Sequence, residues 1–436
     1  MKGISSILLT SVYLCLQGAS LFGMQSIPKF DERTGTGSWG GTRERGMRMH
    51  EELGVQLSRE GMIWMHYEPQ KGTCPWQDDF DDAVSRLGKA EIEIEEMITD
   101  TPFWASSHPR KDPNNPSSFK NAPPMGLNEP IYLDGSDKFS SEKKINPANP
   151  WAVFLEKMAK RYRGKVKYFQ VWNEPDFPSG EERLDFSKPE RTWQGSVGQY
   201  VRLLKIAHTV IKSVDPEALI VTGGLGYPRY LEAILERGGG QFFDCLDFHA
   251  YGFPGSDKGI GEFLKVHGQM KRTLHKFGQD SKRLLCSETG YSSLEPEEQA
   301  DFIQKIYTVS AALGLDGTCY YSNTNPCWKE MGLIDWQTMS RPNGGYRAYQ
   351  KAARILKDAR FVKKIPLRPE IVAFLFEKKG KALLIAWAPY REEQQAVSLS
   401  LKGKWRCVDG NEERKVVKLW KRPTILEGGK KLEGVI

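Results

Sequence analysis

Tyr168-Phe169-Gln170-Val171-Trp172-Asn173-Glu174-Pro175-Asp176 is a short apolar run that ends on a carboxylate and breaks at once into a loop. A second stretch has the same construction. Leu284-Leu285-Cys286-Ser287-Glu288-Thr289-Gly290 carries an apolar run onto Glu288 and turns at Thr289-Gly290. Each run reads as a buried strand. A carboxylate where a core strand meets a loop is costly if it is buried without a partner. Two such residues at equivalent points of two strands predict one shared site.

Outward from these two strands the chain alternates between strand-like and helix-like segments. Short apolar runs occur at residues 54–59, 92–98, 166–172, 219–223, 245–249, 283–287 and 317–321, and residues 26–30 are a weaker candidate for an eighth. Between them, residues 151–162 and 197–214 place apolar side chains at helical spacing, and Asp215-Pro216 stops the second of these helices. Ser293-Leu294-Glu295-Pro296-Glu297-Glu298 reads as a helix start, with proline and acids in the first turn. Such alternation predicts a parallel α/β fold. Eight units predict a (β/α)8 TIM barrel, whose active site lies at the C-terminal ends of its strands. Both glutamates fall there. A doubly wound sheet would carry a glycine-rich phosphate loop after its first strand. Thr222-Gly223-Gly224-Leu225-Gly226 comes too late and lacks the spacing.

The polar segment 106–149 is expected as a long loop on the substrate side. From Arg368 onward the pattern changes to period two. Residues 371–376 and 382–387 flank Lys378-Lys379-Gly380-Lys381, a hairpin turn. The expected division is a leader over 1–23, a barrel over 24–364 and a small all-β, sandwich-like domain over 365–436. Trp387, Trp405 and Trp420 offer that domain a carbohydrate-binding surface, and a structural cap on the barrel is the favoured alternative.

The leader rests on Lys2, the apolar stretch from Ile7 to Leu16, and the small residues Gly18, Ala19, Ser20 and Gly23. It predicts export to the periplasm or outside the cell. No later run reaches the roughly 18 apolar residues of a membrane span. The net charge of +7 is spread along the chain, and no basic–aromatic ladder points to nucleic acid. There is no CxxC pair, HxH or HExxH, so neither a zinc ribbon nor a catalytic metal is expected, and no cofactor is called for. Cys245, Cys286 and Cys319 lie in apolar runs, where free cysteine behaves as a small hydrophobe.

Paired carboxylates of this kind are the machinery of glycoside hydrolysis. A general acid must stay protonated near neutral pH, which partial burial and a second carboxylate favour. Glu174 fits that role, and Asn173 beside it is suited to a sugar hydroxyl. A nucleophile must be ionised, so Glu288 needs donors nearby. His249-Ala250-Tyr251 puts two polar rings on one side of an earlier strand end, with Tyr251 a donor for Glu288. Arg59, closing residues 54–59, supplies a compensating charge.

With these residues assembled, the chain resembles clan A glycoside hydrolases and is most similar to family 39 and its relatives. The resemblance covers nearly the whole mature chain. It rests on residues 54–59, the Trp64, Glu68-Pro69, Gly72, Trp76 stretch, Thr101-Pro102-Phe103-Trp104-Ala105, Trp172-Asn173-Glu174-Pro175-Asp176, His249-Ala250-Tyr251, Glu288-Thr289-Gly290 and Gly332-Leu333-Ile334-Asp335. It implies a retaining mechanism on a TIM barrel with an appended β-sandwich, Glu174 as acid/base and Glu288 as nucleophile. Asn173, Arg59, His249 and Tyr251 would position the sugar and the nucleophile. The clan carries a tryptophan at the end of the eighth strand, as the floor of the sugar site. Here Tyr320-Tyr321-Ser322-Asn323 stands in its place, so either Tyr321 or its neighbour is the platform, or Trp328 reaches back. Trp64, Trp104 and Trp328 are the candidate cleft aromatics. The two carboxyl groups are expected about 5–5.5 Å apart. Xylosides, other β-linked plant or algal glycans and uronic acid-containing chains are all compatible substrates. A transglycosylase on the same site and a catalytically silent carbohydrate-binding protein are the competing readings.

Overall fold

The computed structural model describes residues 20–25, 30–31, 36–37, 43–74, 78–180, 183, 185, 187–188, 190–252, 260–293, 295–321, 331–333, 344–389, 393–410 and 413–429. Eight parallel strands close a barrel: β1 (Leu21–Gln25), β2 (Leu57–Ile63), β3 (Glu93–Thr99), β4 (Tyr168–Val171), β5 (Leu219–Val221), β6 (Cys245–His249), β7 (Arg283–Thr289) and β8 (Gly317–Tyr320). Their order around the ring is β1-β8-β7-β6-β5-β4-β3-β2. Around it run α1 (Arg43–Leu53), the short α2 (Trp64–Tyr67), α3 (Asp78–Lys89), α4 (Pro150–Tyr162), α5 (Val197–Val214), α6 (Pro228–Glu236), α7 (Ile260–Lys276), α8 (Pro296–Leu313) and α9 (Gly344–Leu356). Among the described residues no helix is long and apolar enough to cross a membrane.

Local chemistry sets the helix starts. Asn149 caps α4 by accepting from the Ala152 N–H, with Pro150 in the first turn. Ser196 and Gln199 form a capping box on α5. Pro296, Glu297 and Glu298 open α8, and Gly314 ends it in the left-handed region. The barrel interior is plugged by Leu57, Tyr168, Val221, Cys245, Leu285 and Cys319, while outward-facing residues of the strands join the helices in one larger core. Cys245, Cys286 and Cys319 are buried and free, so they do act as packing residues.

The first strand corrects the sequence expectation. It is Leu21–Gln25, not 26–30, and it closes the ring by pairing Leu21 with Gly317 and Gly23 with Leu57. Gly23 had read as a small residue near a cleavage site. Its size has a different use: a Cβ there would lie 2.4 Å from Cys319 Sγ and 2.9 Å from the Thr318 carbonyl. A leader ending at residue 23 would remove three of the five strand residues, so a cleavage compatible with this barrel falls at or before Ser20. The Tyr307 and Tyr349 hydroxyls both donate to the Gly23 carbonyl, at 2.8 and 2.9 Å.

The C-terminal unit begins earlier than expected. Residues Arg360–Lys364 form β9, which pairs with β10 (Val372–Lys378), so the boundary lies near 359 rather than 364. Charges at both ends of this strand mask its alternation. The remaining strands are β11 (Lys381–Trp387), β12 (Val397–Cys407), β13 (Glu413–Leu419) and β14 (Thr424–Gly428). They form one antiparallel sheet in the order β9-β10-β11-β14-β12-β13. Its hairpin turns at Lys379 and Gly380, both at positive φ as a two-residue turn requires. One face adds Phe374, Phe376, Leu383 and Trp387 to the barrel-side core. The other gathers Leu375, Leu384, Leu399, Trp405 and Leu419 into a core of its own. Trp387 and Trp405 are thus packing residues, each about 3% exposed, and neither offers a ring face to a sugar.

Segment 106–149 follows β3 and so lies over the catalytic face. It is tied down by Arg202 of α5, which donates to the Leu127 carbonyl at 2.9 Å and pairs with Asp137. Asn121 links it to the loop after β4, donating to the Arg191 carbonyl and accepting from the Gln194 N–H, both at 2.9 Å.

Candidate active site

The ends of β4, β6 and β7 converge on one cluster, joined by Arg59 from within β2. Glu174 sits where β4 gives way to a sharp turn. Trp172 and Glu174 both hold positive φ, 72° and 45°, a region that costs a side chain energy and persists only when the surroundings enforce it. Several contacts do so. The Glu174 N–H donates to the Gly223 carbonyl at 2.5 Å, and the Thr192 hydroxyl to the Glu174 carbonyl. The Trp172 indole N–H reaches the Thr192 carbonyl at 2.7 Å. Asp176 accepts from the Gly226 and Tyr227 N–H groups at 2.9 and 2.7 Å, pinning this turn to the one after β5. Burial pushes Asp176 up to about 7. The Glu174 side chain is about 25% exposed, against 11% for Glu288 and 3% for His249.

Glu288, on β7, has both oxygens occupied. Arg59 Nη1 donates to Oε1 at 2.6 Å, and the Tyr251 hydroxyl donates to Oε2. Arg59 spreads its fork further, with Nε on Gln170 Oε1 at 2.8 Å and Nη2 on Asn173 Oδ1 at 2.7 Å. It is not the last residue of β2 but lies inside the strand, facing inward. Burial works against its charge, but Glu288, Glu95 and Asp247 outweigh that and raise its pKa. Burial likewise works to raise Glu288, while His249 and Arg59 pull it the other way, and it ends below its ordinary value. Glu95, across the β2–β3 pairing from Arg59, has neither carboxyl oxygen hydrogen-bonded among the described residues. Burial, then Asp247, push it up to about 8.

His249 stands between the glutamates. Its Nδ1 lies 2.8 Å from Glu174 Oε1 and 3.6 Å from Glu288 Oε2. Its Nε2 lies 3.0 Å from Ser287 Oγ and 3.6 Å from Asp247 Oδ2. Burial opposes its charge, but Glu288, Asp247 and Glu174 carry it up to about 10. Gly224, at φ +67°, leaves room for the ring, since a Cβ there would lie 2.1 Å from His249 Nε2. One oxygen each of Glu174 and Glu288 and a nitrogen of His249 lie within 4.8 Å of one another. That spacing would also admit a metal ion, but the donor chemistry does not favour one. Both Glu288 oxygens already accept hydrogen bonds, and a cation would be added beside a guanidinium.

The structure thus brings Glu174, Glu288, Asn173, Arg59, His249 and Tyr251 together. Tyr321 stands edge-on to Tyr251 with ring centroids 6.1 Å apart, whereas Tyr320 is buried. Trp104 is half-buried on the catalytic face, its indole N–H on the Glu68 carbonyl at 2.8 Å. Trp64 corrects the expectation. It is wholly buried in α2, its N–H on Glu68 Oε2, packed on Trp151 and Phe154 at 5.3 and 5.0 Å, and so lines no cleft. Trp328 lies outside the described residues. Sequence reasoning missed Ser287, Asp247, Gln170 and Glu95. Asp247, two residues before His249 on a strand, was the one with a readable signal, since period two puts both on the same side.

No family model matches the chain, and no curated protein matches it. Solved structures do. The chain shares its fold with solved glycoside hydrolases. A family 39 glycoside hydrolase from the gut symbiont Bacteroides cellulosilyticus superposes with a TM-score of 0.65 at 18% identity, over 94% of this chain and 81% of that one. A family 39 β-xylosidase from Caulobacter crescentus gives 0.58 at 14% identity, over 94% and 97%. A family 30 endoxylanase from Clostridium papyrosolvens gives 0.59 at 13% identity, over 95% and 97%.

Proposed function

We propose that the protein is an exported retaining glycoside hydrolase that cleaves β-linked glycosides, xylosides foremost, in oligosaccharides or polysaccharides. The observation that carries this reading is the pair Glu174 and Glu288, with oxygens within 4.8 Å at the ends of two barrel strands. That spacing supports a close-set carboxyl pair of the kind retaining enzymes use, with carboxyl groups about 5–5.5 Å apart. The environments of the two differ as the roles require. Glu288, held ionised by Arg59 and Tyr251, attacks the anomeric carbon. Glu174, open to solvent, protonates the leaving oxygen as the glycosidic bond breaks. It then takes a proton from water, whose hydroxide displaces Glu288 from the sugar. Xylose-type substrates are favoured because a β-xylosidase and an endoxylanase share the fold. Export rests on the apolar leader, with cleavage at or before Ser20.

The test is a screen of aryl β-glycosides and polysaccharides with Glu288→Ala as the blank, followed by NMR of the first-formed product. Retained anomeric configuration is expected. Inversion rules out the mechanism, and no turnover of any glycoside rules out the activity.

A further inference from the structure

Beneath the two glutamates lies a buried chain of polar groups that the reaction above leaves without a task. Asp247 is wholly buried on β6. Its Oδ1 accepts from the Ser287 N–H at 2.8 Å, and its Oδ2 from the Ser287 hydroxyl. A hydroxyl has one proton. Spent on Asp247, it leaves Ser287 Oγ facing His249 Nε2 as an acceptor, at 3.0 Å. His249 Nε2 therefore carries a proton. On the other side of the ring, Nδ1 faces carboxylate oxygens among the described residues, Glu174 Oε1 at 2.8 Å and Glu288 Oε2 at 3.6 Å. Whenever Glu174 is ionised, both ring nitrogens face acceptors.

We propose that Asp247 and Ser287 are positioning residues for glycoside cleavage, which hold His249 as a cation shared by the two glutamates. The proposal rests on the hydrolase reading above. Its sense lies in where charge goes. Before attack, the negative charge is on Glu288. After attack, Glu288 is a neutral ester, and the proton Glu174 gave to the leaving group leaves the charge on Glu174. One unit of charge has moved between two oxygens that lie within 4.8 Å of each other and of the same ring nitrogen. An imidazolium fixed between them stabilises either location without moving. Asp247, through Ser287, keeps the ring in place and charged, much as a buried aspartate orients a catalytic histidine.

The other charged groups around the ring fit this arrangement. Arg59 on β2 is committed to Glu288, Gln170 and Asn173. Tyr251 is committed to Glu288. Glu95 on β3 is buried without a hydrogen-bond donor among the described residues, a setting that favours its neutral form. Among the described groups in contact with Glu288 and His249, two cations, Arg59 and His249, then stand against Asp247 and whichever glutamate is ionised.

The test uses the full chain with 15N-labelled histidine. In the wild type, the His249 nitrogens are expected to keep imidazolium shifts past pH 8. In Asp247→Asn they are expected to titrate at least about one pH unit lower, the effect of removing an opposite charge at this range. In Ser287→Ala, where the fold is least disturbed, a smaller shift in the same direction is expected. Activity is the second arm. The acidic limb of kcat/KM should move up in both variants, because Glu288 loses part of the charge that keeps it ionised. A wild-type His249 that titrates near its ordinary value, or variants that leave its titration unchanged, overturn the proposal. The NMR arm needs no substrate, so a persistent imidazolium in a protein that cleaves no glycoside would refute the hydrolase reading and not the charge on His249.

Discussion

Arg59→Met removes the guanidinium with little change in volume, and its effect can be worked from the contacts. Arg59 is about 1% exposed and donates to Glu288, Asn173 and Gln170 at 2.6, 2.7 and 2.8 Å. Breaking one side of a buried ion pair costs about 3–5 kcal/mol, because the remaining charge is left in a poor solvent. Glu288 can escape part of that cost by taking up a proton, so its pKa should rise by about 1–3 units. The pH dependence of stability follows. In the wild type Glu288 is held below its ordinary value. Its ionised form thus adds stability above the unfolded-chain pKa, near about 4.3, which is lost as pH falls through the lower folded value. In Arg59→Met this contribution shrinks or reverses, so the deficit relative to wild type is largest at neutral pH and narrows on acidification. Urea unfolding at pH 7 and pH 4 measures this, with the acidic limb of kcat/KM as the catalytic counterpart. Arg59→Lys should recover part of the stability but less of the activity, since an ammonium cannot make the three-way fork. Equal urea midpoints for wild type and Arg59→Met at pH 7, with an unmoved acidic limb, would refute this account of Glu288.

Glu174→Ala should slow turnover least for aryl glycosides with good leaving groups and be partly rescued by azide, whereas Glu288→Ala should abolish turnover of all of them; identical behaviour of the two across leaving groups would reverse the assignment of roles. Trp64→Ala should cost about 3–5 kcal/mol of stability as a core truncation, read by denaturant unfolding. Trp104→Ala should instead raise KM with a smaller loss of stability, and the opposite pattern would exchange their roles. Gly224→Ala should lower kcat about a hundredfold or more by displacing His249, since its methyl group has no space and its φ is unsuited to a side chain; near-normal kcat in a folded variant would show the ring is not where activity needs it. Dialysis against a chelator should leave activity unchanged, and a loss restored by a divalent cation would recast the Glu174–His249–Glu288 cluster as a metal centre.

What the sequence made legible was what depends on strand ends. Glu174, Glu288, His249 and Tyr251 follow apolar runs closely enough that the pattern alone placed them on one face, and α5 runs over the residues its periodicity marked. Where the reading failed, two physical signals shared one appearance. Gly23 looks alike as a cleavage-site residue and as the only residue that fits against Cys319. Trp64 follows a barrel strand, as a cleft aromatic would, but the short helix α2 turns it into the helix layer. Arg360–Lys364 is a strand because β10 pairs with it, which no local pattern announces. Gln170 was hidden for a related reason. A polar residue inside an apolar run looks like an interruption until its neighbours across the barrel are known.

The hydroxyls of Tyr307 and Tyr349, both bound to the carbonyl of Gly23, span 284 and 326 residues of chain. Contacts of such long range form late, because the loop-closure entropy they require must be met before they return any stabilisation. During synthesis β1 is the first part of the barrel to be made, and its partner β2 follows soon after, yet β8, α8 and α9, which complete its surroundings, are among the last. Until α9 has formed, β1 lacks one of its two tyrosine anchors, and without β8 the sheet is an open, aggregation-exposed ribbon. The ring therefore closes only when the last-made strand reaches the first-made one.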